Sequence, residues 1–353
     1  MNVRHPIKLP VFPWDQLAPL EETAKNHPDG MVKLTVGAPV DPVFPSIQVA
    51  LSEAAALSGY PPTIGVPELR EAIVSSLERR YNMQGITGVL PVIGTKELIA
   101  NLPAQLRVES VAYPELAYPT YEIGAIFADA KIVKEGADLT FINSPNNPSG
   151  EVLTVEQLRE YVADARERGA ILVSDECYLG MGWTDKKPVS ILDPAVCDGD
   201  HTGLIAVHSL SKTSNLAGYR SGFVVGDKDL IDELTLIRKH GGFMMPYPVQ
   251  YATIAALNDD EQESFQKARY FARRKVLSEA LTSAGLTIDH SDAGLYLWVT
   301  RSENCWDTAR WFAERGLLVT PGDFYGPAGA EHVRIAMTIT DEDAIAAAKR
   351  LQA

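Results

Sequence analysis

The stretch Ile205–Asp227, IAVHSLSKTSNLAGYRSGFVVGD, constrains this chain more than any other. An apolar run, Leu204 to Val207, reads as a buried strand, and a second run, Phe223 to Val225, follows a polar, glycine-containing loop. Between them stand Ser209, Ser211 and Lys212, with Arg220 further along the loop. Lysine ordinarily prefers a solvated helix face. Directly after a buried strand, among small hydroxyls, its amine is better placed to react than to solvate. A desolvated amine with a cation nearby loses its proton more readily and can attack a carbonyl carbon. Ser209, Ser211 and Arg220 make a compact site for a dianion, because hydroxyls and a guanidinium fork suit phosphate oxygens. The plainer alternative is a surface loop with an ordinary lysine and a structural arginine.

An aldehyde cofactor with a phosphate handle, pyridoxal 5'-phosphate, would use both halves of this stretch. Ser-Leu-Ser-Lys-Thr-Ser-Asn-Leu-Ala-Gly-Tyr-Arg, ending at Arg220, resembles the lysine motif of class I pyridoxal-phosphate aminotransferases of fold type I. Family-like blocks at Gly94–Glu97, Asn143–Gly150, Asp175–Tyr178 and Val333–Ala336 extend the resemblance over nearly the whole chain. Three N-terminal blocks, LPVFPWDQLAP, HPDGMVKLTVGAPVDP and GYPPTIGVPELREAI, resemble the actinobacterial-type N-succinyldiaminopimelate aminotransferases. The resemblance implies an α/β fold. A large, mostly parallel sheet of the seven-stranded type would carry helices on both faces, beside a smaller α+β domain. It also implies a homodimer with shared active sites, working on an amino acid and a 2-oxo acid; the cytoplasm is the default compartment.

With 353 residues the chain exceeds what one core usually fills. The expected division is an N-terminal arm and part of the small domain over 1–45, a large cofactor domain over 46–260, and a C-terminal α+β domain over 261–353. A net charge of -14 argues against nucleic acid or an anionic membrane as partner, whose footprint would be basic. Cys177, Cys197 and Cys305 show no CxxC spacing, which fits a reducing compartment and neither a disulfide framework nor a zinc site. The N-terminus lacks the apolar core of a signal peptide, and no apolar run approaches the ~20 residues that span a bilayer.

Along the chain, Val32 to Val36 reads as a short strand ending at Gly37, whose neighbourhood the family uses near the substrate carboxylate; a simple turn glycine is the alternative. Tyr60 precedes Gly65-Val66-Pro67, where proline opens a helix ending near Tyr81. By resemblance, Tyr60 reaches the cofactor phosphate of a partner subunit; otherwise it is an exposed turn tyrosine. Val89 to Ile93 runs into Gly94, Thr95 and Lys96 and a helix over 98–102, a strand–glycine–helix junction whose free N–H groups suit the cofactor phosphate. After the strand Ser110–Tyr113, Tyr118 falls where the family stacks a ring on the pyridine, with Tyr121 the competitor and core packing the alternative for both.

Leu139 to Ile142 leads into the turn cluster 143–150, at the strand end where α/β folds bind ligands. There Asn147 matches the family asparagine toward the pyridine phenolate and the substrate carboxylate, while Asn146 reads as structural. Asp175 ends the next strand, and a carboxylate there would keep a pyridine nitrogen protonated, making the ring an electron sink. Tyr178 would bond the phenolate oxygen; Glu176 and Cys177 should face away by strand alternation. His208 reads as packed against its strand.

From about 262 the βαβ rhythm gives way to a long helix, Phe265–Ala284, a helix Trp306–Arg315, and strands Leu295–Val299 and Leu317–Thr320. Arg334 lies in the apolar strand Val333–Ala336 and needs an anion; the family binds the substrate α-carboxylate at this position, and a structural salt bridge is the alternative. Phe12, Lys33 and the loop Phe243–Met245 are candidates for the distal substrate arm, a packed inter-subunit loop being the alternative for the last. Other reactions on the same scaffold, such as β-elimination, or a sensor module of a transcription regulator, are the rival readings. The acidic charge and lack of spare length argue against the latter.

Overall fold

The structure, a computed structural model, describes residues 7–35 and 37–352. Val36, the expected end of the first strand, lies outside the described residues. The chain enters through α1 (Ala18–Lys25) and β1 (Val32–Lys33), then α2 (Pro45–Glu53) and α3 (Pro67–Tyr81). Both α2 and α3 carry proline in the first turn, where its missing N–H removes no helical bond. An alternation follows: β2 (Gly88–Val92), α4 (Thr95–Gln105), β3 (Ser110–Ala112), α5 (Thr120–Phe127), β4 (Lys131–Ile132), β5 (Leu139–Asn143), α6 (Val155–Arg168) and β6 (Ile171–Asp175). It continues with α7 (Pro194–Cys197), β7 (Leu204–Ser209), α8 (Leu210–Thr213), β8 (Gly222–Gly226), α9 (Lys228–Gly241) and α10 (Tyr247–Leu257). The last part holds α11 (Asp260–Ser283), β9 (Thr287–Asp289), β10 (Tyr296–Thr300), α12 (Cys305–Glu314), β11 (Leu317–Leu318), β12 (Thr320–Pro321), β13 (His332–Ala336) and α13 (Asp341–Leu351).

Seven strands form one sheet in the order β2-β8-β7-β6-β5-β3-β4. From β4 to β7 the pairs are parallel, while β8 is antiparallel to both β7 and β2, so that β2 again runs with β7. Strand alternation divides the apolar side chains between two cores. Leu172, Leu204 and Ala206 pack under α3, α6 and α10; Val173, Ile205 and Val207 pack under α4, α5 and α9. Burial on both faces is why these strands read as unbroken apolar runs. The fold is the α/β architecture expected, with helices on both faces of a mostly parallel sheet.

A second, antiparallel sheet, β12-β13-β10-β9, shares a further core with α1, α12, α13 and the C-terminal half of α11. β1 pairs parallel with β11, which joins the N-terminal segment to this C-terminal layer. The expected strand 317–320 is two short pieces, because β11 pairs with β1 and β12 with β13. Side-chain caps move the helix starts. Asp259 Oδ1 accepts from Glu261 N and Gln262 N (3.1 and 3.0 Å), so α11 begins earlier than apolar spacing suggested. Asn304 likewise opens α12 by accepting from Trp306 N at 2.9 Å.

Behind the sheet, Glu176 is buried with its Oε1 accepting from Ile191 N at 2.9 Å and its Oε2 3.4 Å from His208 Nε2. His208 stacks between Tyr81 and Phe223. Burial pushes the Glu176 carboxyl up to about 7 and His208 down to about 3, so neither is charged in mildly acidic solution. A carboxyl raised in the folded state stabilises below its unfolded value of 4.5 and loses that contribution as pH rises through about 7. Glu176→Gln is therefore expected to gain on the native chain by up to about 3 kcal/mol between acidic and alkaline pH. Thermal melts on either side of that window check it; equal gaps at both ends would contradict it.

Candidate active site

The carboxyl ends of β2, β5, β6 and β7 meet at one edge of the sheet, where open α/β sheets place ligands. A cavity of about 1100 Å³ opens there, closed on its other side by the N-terminal segment and by Tyr296, Phe324 and Arg334 of the smaller layer. It gathers Gly37, Thr95, Lys96, Tyr118, Asn147, Asp175, Tyr178, Ser209, Ser211, Lys212, Arg220 and Arg334, residues scattered over the sequence. Gly94 joins them through Arg220. Its φ is +89°, and an added Cβ would lie 2.2 Å from Arg220 Nη2. Arg220, itself at φ +61°, donates from Nη1 to Ala217 O at 2.8 Å and aims the rest of its fork inward.

The lysine follows β7 within the short turn α8, whose Ser209 caps by accepting from Ser211 N at 3.2 Å. Lys212 Nζ donates to the carbonyl of Gly37. Burial lowers the pKa of Lys212, favouring the free amine that carbonyl attack requires. Asp175 is buried, and burial pushes its carboxyl up against two donors, Tyr121 Oη (2.9 Å, to Oδ2) and Cys177 N (3.2 Å, to Oδ1). Among the described residues no cationic side chain pairs with it. Asn143 locks the neighbouring strand ends: its Nδ2 donates to Asp175 O (2.7 Å) and Pro145 O (2.9 Å), and its Oδ1 accepts from Asn147 N (2.7 Å). Asn146 Nδ2 turns away toward Leu116 O at 3.2 Å.

Arg334 is 3% exposed and has no carboxylate partner among the described residues. Its Nη1 donates to Asn147 Oδ1 (2.8 Å) and its Nη2 to Thr35 O (2.6 Å), while Nε finds no acceptor among the described residues. The guanidinium lies over the rings of Tyr296 (3.9 Å) and Tyr325 (4.9 Å). A buried, unneutralised guanidinium beside an open cavity is a site for an anion.

Several features differ from the sequence reading. Tyr118 lines the cavity, whereas Tyr121 is fully buried and serves as the donor to Asp175. Glu176 faces away as expected, but Cys177 faces the cavity, with Sγ 3.6 Å from Thr95 Oγ1. A period of two in fact puts Cys177 on the face of Asp175, and its N donates back to that carboxylate. The Phe243–Met245 loop does not line the cavity: Arg238 covers the Phe243 ring, and Met245 is buried beneath α10. Tyr60 is 90% exposed and stands outside the cavity.

Sequence reasoning missed Tyr296. Its hydroxyl is 3.0 Å from that of Tyr178 and occupies the space a Cβ on Gly37 would need, 2.0 Å away. Burial alone would raise this phenol, but the Arg334 and Lys212 cations and the Tyr178 hydrogen bond hold it below its ordinary value. In sequence it is one more apolar-strand aromatic, so nothing local marks it.

The model of aminotransferase class I and II matches residues 29–136 and 133–351. The chain belongs to this aminotransferase family. Its relatives include a protein of Mycobacterium tuberculosis named as a probable aminotransferase, 57% identical over 97% of this chain and 85% of its own length. The 4-dedimethylamino-4-oxo-anhydrotetracycline transaminase OxyQ of Streptomyces rimosus is 51% identical over 98% of this chain and 99% of its own length. An LL-diaminopimelate aminotransferase of Aquifex aeolicus is 34% identical over 83% and 82%. Among solved structures, an aminotransferase from Neisseria meningitidis superposes with a TM-score of 0.87 at 29% identity, covering 95% of this chain and 96% of that one.

The aminotransferase is thus a pyridoxal-phosphate enzyme acting on amino acid and oxo acid substrates, and the cavity residues fit that cofactor. Arg220, Ser209, Ser211 and the start of α4 supply donors for a phosphate. Asp175 supplies a carboxylate still lacking a cation, and Lys212 a desolvated amine. Gly94→Ala should push the new methyl into the Arg220 fork at a strained φ. Cofactor affinity, measured by spectral titration, is expected to fall roughly tenfold or more, since a charge-assisted hydrogen bond is worth about 1.5–3 kcal/mol. Unchanged affinity would remove Arg220 from the phosphate site. Among the described residues no helix is long and apolar enough to cross a membrane.

Proposed function

We propose that this enzyme moves an amino group between N-succinyl-LL-2,6-diaminopimelate and 2-oxoglutarate, with glutamate as the co-product. The observation that carries the amino-acid reading is Arg334, buried and unneutralised, whose fork would take the substrate α-carboxylate with Asn147 beside it. The cavity extends past this point to an aromatic wall. Phe12 packs on Trp14 (5.3 Å between centroids), Trp14 packs on Phe324 (5.9 Å), and Lys96 Nζ lies 5.7 Å over the Phe12 ring. Lys33 lines the same mouth. An acyl arm ending in a carboxylate matches a wall with two lysines, neither of them ion-paired among the described residues. The N-terminal sequence blocks and the diaminopimelate relative support the same choice.

The bound cofactor supplies an aldehyde to receive the amino group and a ring that accepts electron density from the substrate carbon. The rest is the work of this chain. Arg334 and Asn147 hold the carboxylate and so fix which bond to the α-carbon stands free. Lys212 Nζ would hold the cofactor through its aldehyde and, once free, would take the proton from the substrate α-carbon and return it. Tyr121 and the Cys177 amide keep the Asp175 carboxylate aimed at the ring nitrogen. The Tyr178–Tyr296 pair lies beside Lys212 and joins the two layers across the cavity. The proposal includes the division of the chain near residues 45 and 260, and a homodimer in which Tyr60, exposed in one subunit, completes the phosphate site of the other.

The 51% relationship to a tetracycline transaminase, together with the Phe12–Trp14–Phe324 wall, favours one second reading: a bulky cyclic ketone as amino acceptor. A half-reaction separates the two. N-succinyldiaminopimelate added alone to the yellow enzyme is expected to bleach it to the amine form, and 2-oxoglutarate to restore the colour. Bleaching by glutamate but not by N-succinyldiaminopimelate would refute the substrate and leave the reaction class.

A further inference from the structure

Asp41, in the loop between β1 and α2, ties the lysine to the smaller layer. Its carboxylate accepts from Arg273 Nη1 and Nη2 (2.7 Å each), Arg269 Nη1 (3.0 Å) and Gln266 Nε2 (2.8 Å). Burial would raise this carboxyl, but the Arg273 and Gln266 donors outweigh it and hold it low. The three donors stand on successive turns of one face of α11. Arg273 Nε also binds Asp341 at the start of α13 (2.6 Å).

The same face of α11 carries Tyr270, whose Oη donates to the backbone carbonyl of Lys212 at 3.2 Å and lies 3.3 Å from Asn215 Oδ1. Asn215 Nδ2 in turn donates to Gln266 Oε1 (2.9 Å) and to Pro42 O (3.3 Å). One helix face therefore grips both the main chain of Lys212 and the loop whose Gly37 carbonyl accepts from Lys212 Nζ. The loop and the lysine belong to distant parts of the sequence, and α11 is their common anchor.

We propose that Asp41 is a positioning residue which, through Gln266, Tyr270 and Arg273, sets the Gly37 carbonyl against the Lys212 amine and so controls the lysine's reactivity from the smaller layer. This rests on Lys212 being the cofactor lysine. The test follows, by visible absorbance, the rate at which cofactor-free protein captures pyridoxal 5'-phosphate. Four chains are compared: native, Asp41→Asn, Tyr270→Phe and the double variant.

Each single change is expected to slow capture roughly tenfold, as small misplacements of a reacting group do. The double variant should be no slower than the slower single one, because both cut the same tether. Tyr270→Phe removes one hydroxyl and preserves shape, so it decides the matter alone if Asp41→Asn fails to fold. Native capture rates in the folded variants, with only melting temperatures lowered, would overturn the proposal and leave Asp41 a purely structural ion-pair centre. A native protein that captured no cofactor on Lys212 would overturn the assignment of the lysine, and the tether with it.

Discussion

Replacing Lys212 by alanine is expected to lower transamination by at least about 10⁴-fold, the upper range for loss of a single acid–base group. The lysine combines three features that no neighbouring residue reproduces. It is desolvated, which lowers its pKa and keeps a fraction of the amine unprotonated. It follows directly from the buried strand β7, so its backbone is fixed. Its amine is aimed at the cavity and held there by the Gly37 carbonyl. Cys177, Tyr178 and Tyr296 also line the cavity, but burial raises Cys177 and Tyr178, and neither these two nor Tyr296 offers an amine. The variant should still fold, because the side chain contributes one polar contact and no core packing. Steady-state turnover and the circular dichroism of the protein together check this. Residual activity within about tenfold of native would mean that another group carries the proton.

The second large effect is expected at Arg334. Arg334→Gln keeps a polar side chain of similar reach but removes the charge and the fork. Leaving the substrate carboxylate without its partner in a buried site costs about 3–5 kcal/mol. That corresponds to roughly 10²–10⁴ in kcat/KM. The loss should fall on the amino acid and the oxo acid alike, since both present the same carboxylate. Cofactor affinity should change far less than turnover, because the Arg220, Ser209 and Ser211 donors to the phosphate stay in place. Steady-state kinetics with each substrate varied in turn measure it. A loss confined to one substrate would mean that Arg334 reads a distal group.

What the sequence made legible follows from how local each signal is. Asp175 ends β6, and Asn147 and Lys212 follow β5 and β7 within four residues, so the local pattern together with the family resemblance locates them. The sheet was legible for the same reason: a parallel sheet buried on both faces writes itself as apolar runs separated by helices and turn clusters. The partners of those residues were not legible. Tyr296 reaches Gly37 and Tyr178 across two layers, and Arg334 finds Thr35 through the pairing of distant segments, none of which has a local signature. Tyr118 and Tyr121 could not be told apart by spacing; the helix start at Thr120 decides that one faces the cavity and the other the Asp175 carboxylate. Alternation with its period of two puts Cys177 on the face of Asp175, not that of Glu176, so the expectation that it faces away misapplied the strand pattern. The loop 243–245 stands outside the cavity because Arg238, buried against Glu97 at 2.7 Å, covers the Phe243 ring.

Every step of the proposed reaction passes through Lys212, the residue that would hold the cofactor. Reduction of the yellow protein with borohydride fixes the cofactor covalently wherever it is attached, and peptide mass mapping then reads the position. The predicted result is one pyridoxyl group per chain, on the peptide containing Lys212, and none on Lys33 or Lys96. A label on another lysine, or a protein that keeps its colour but takes no label, would contradict it.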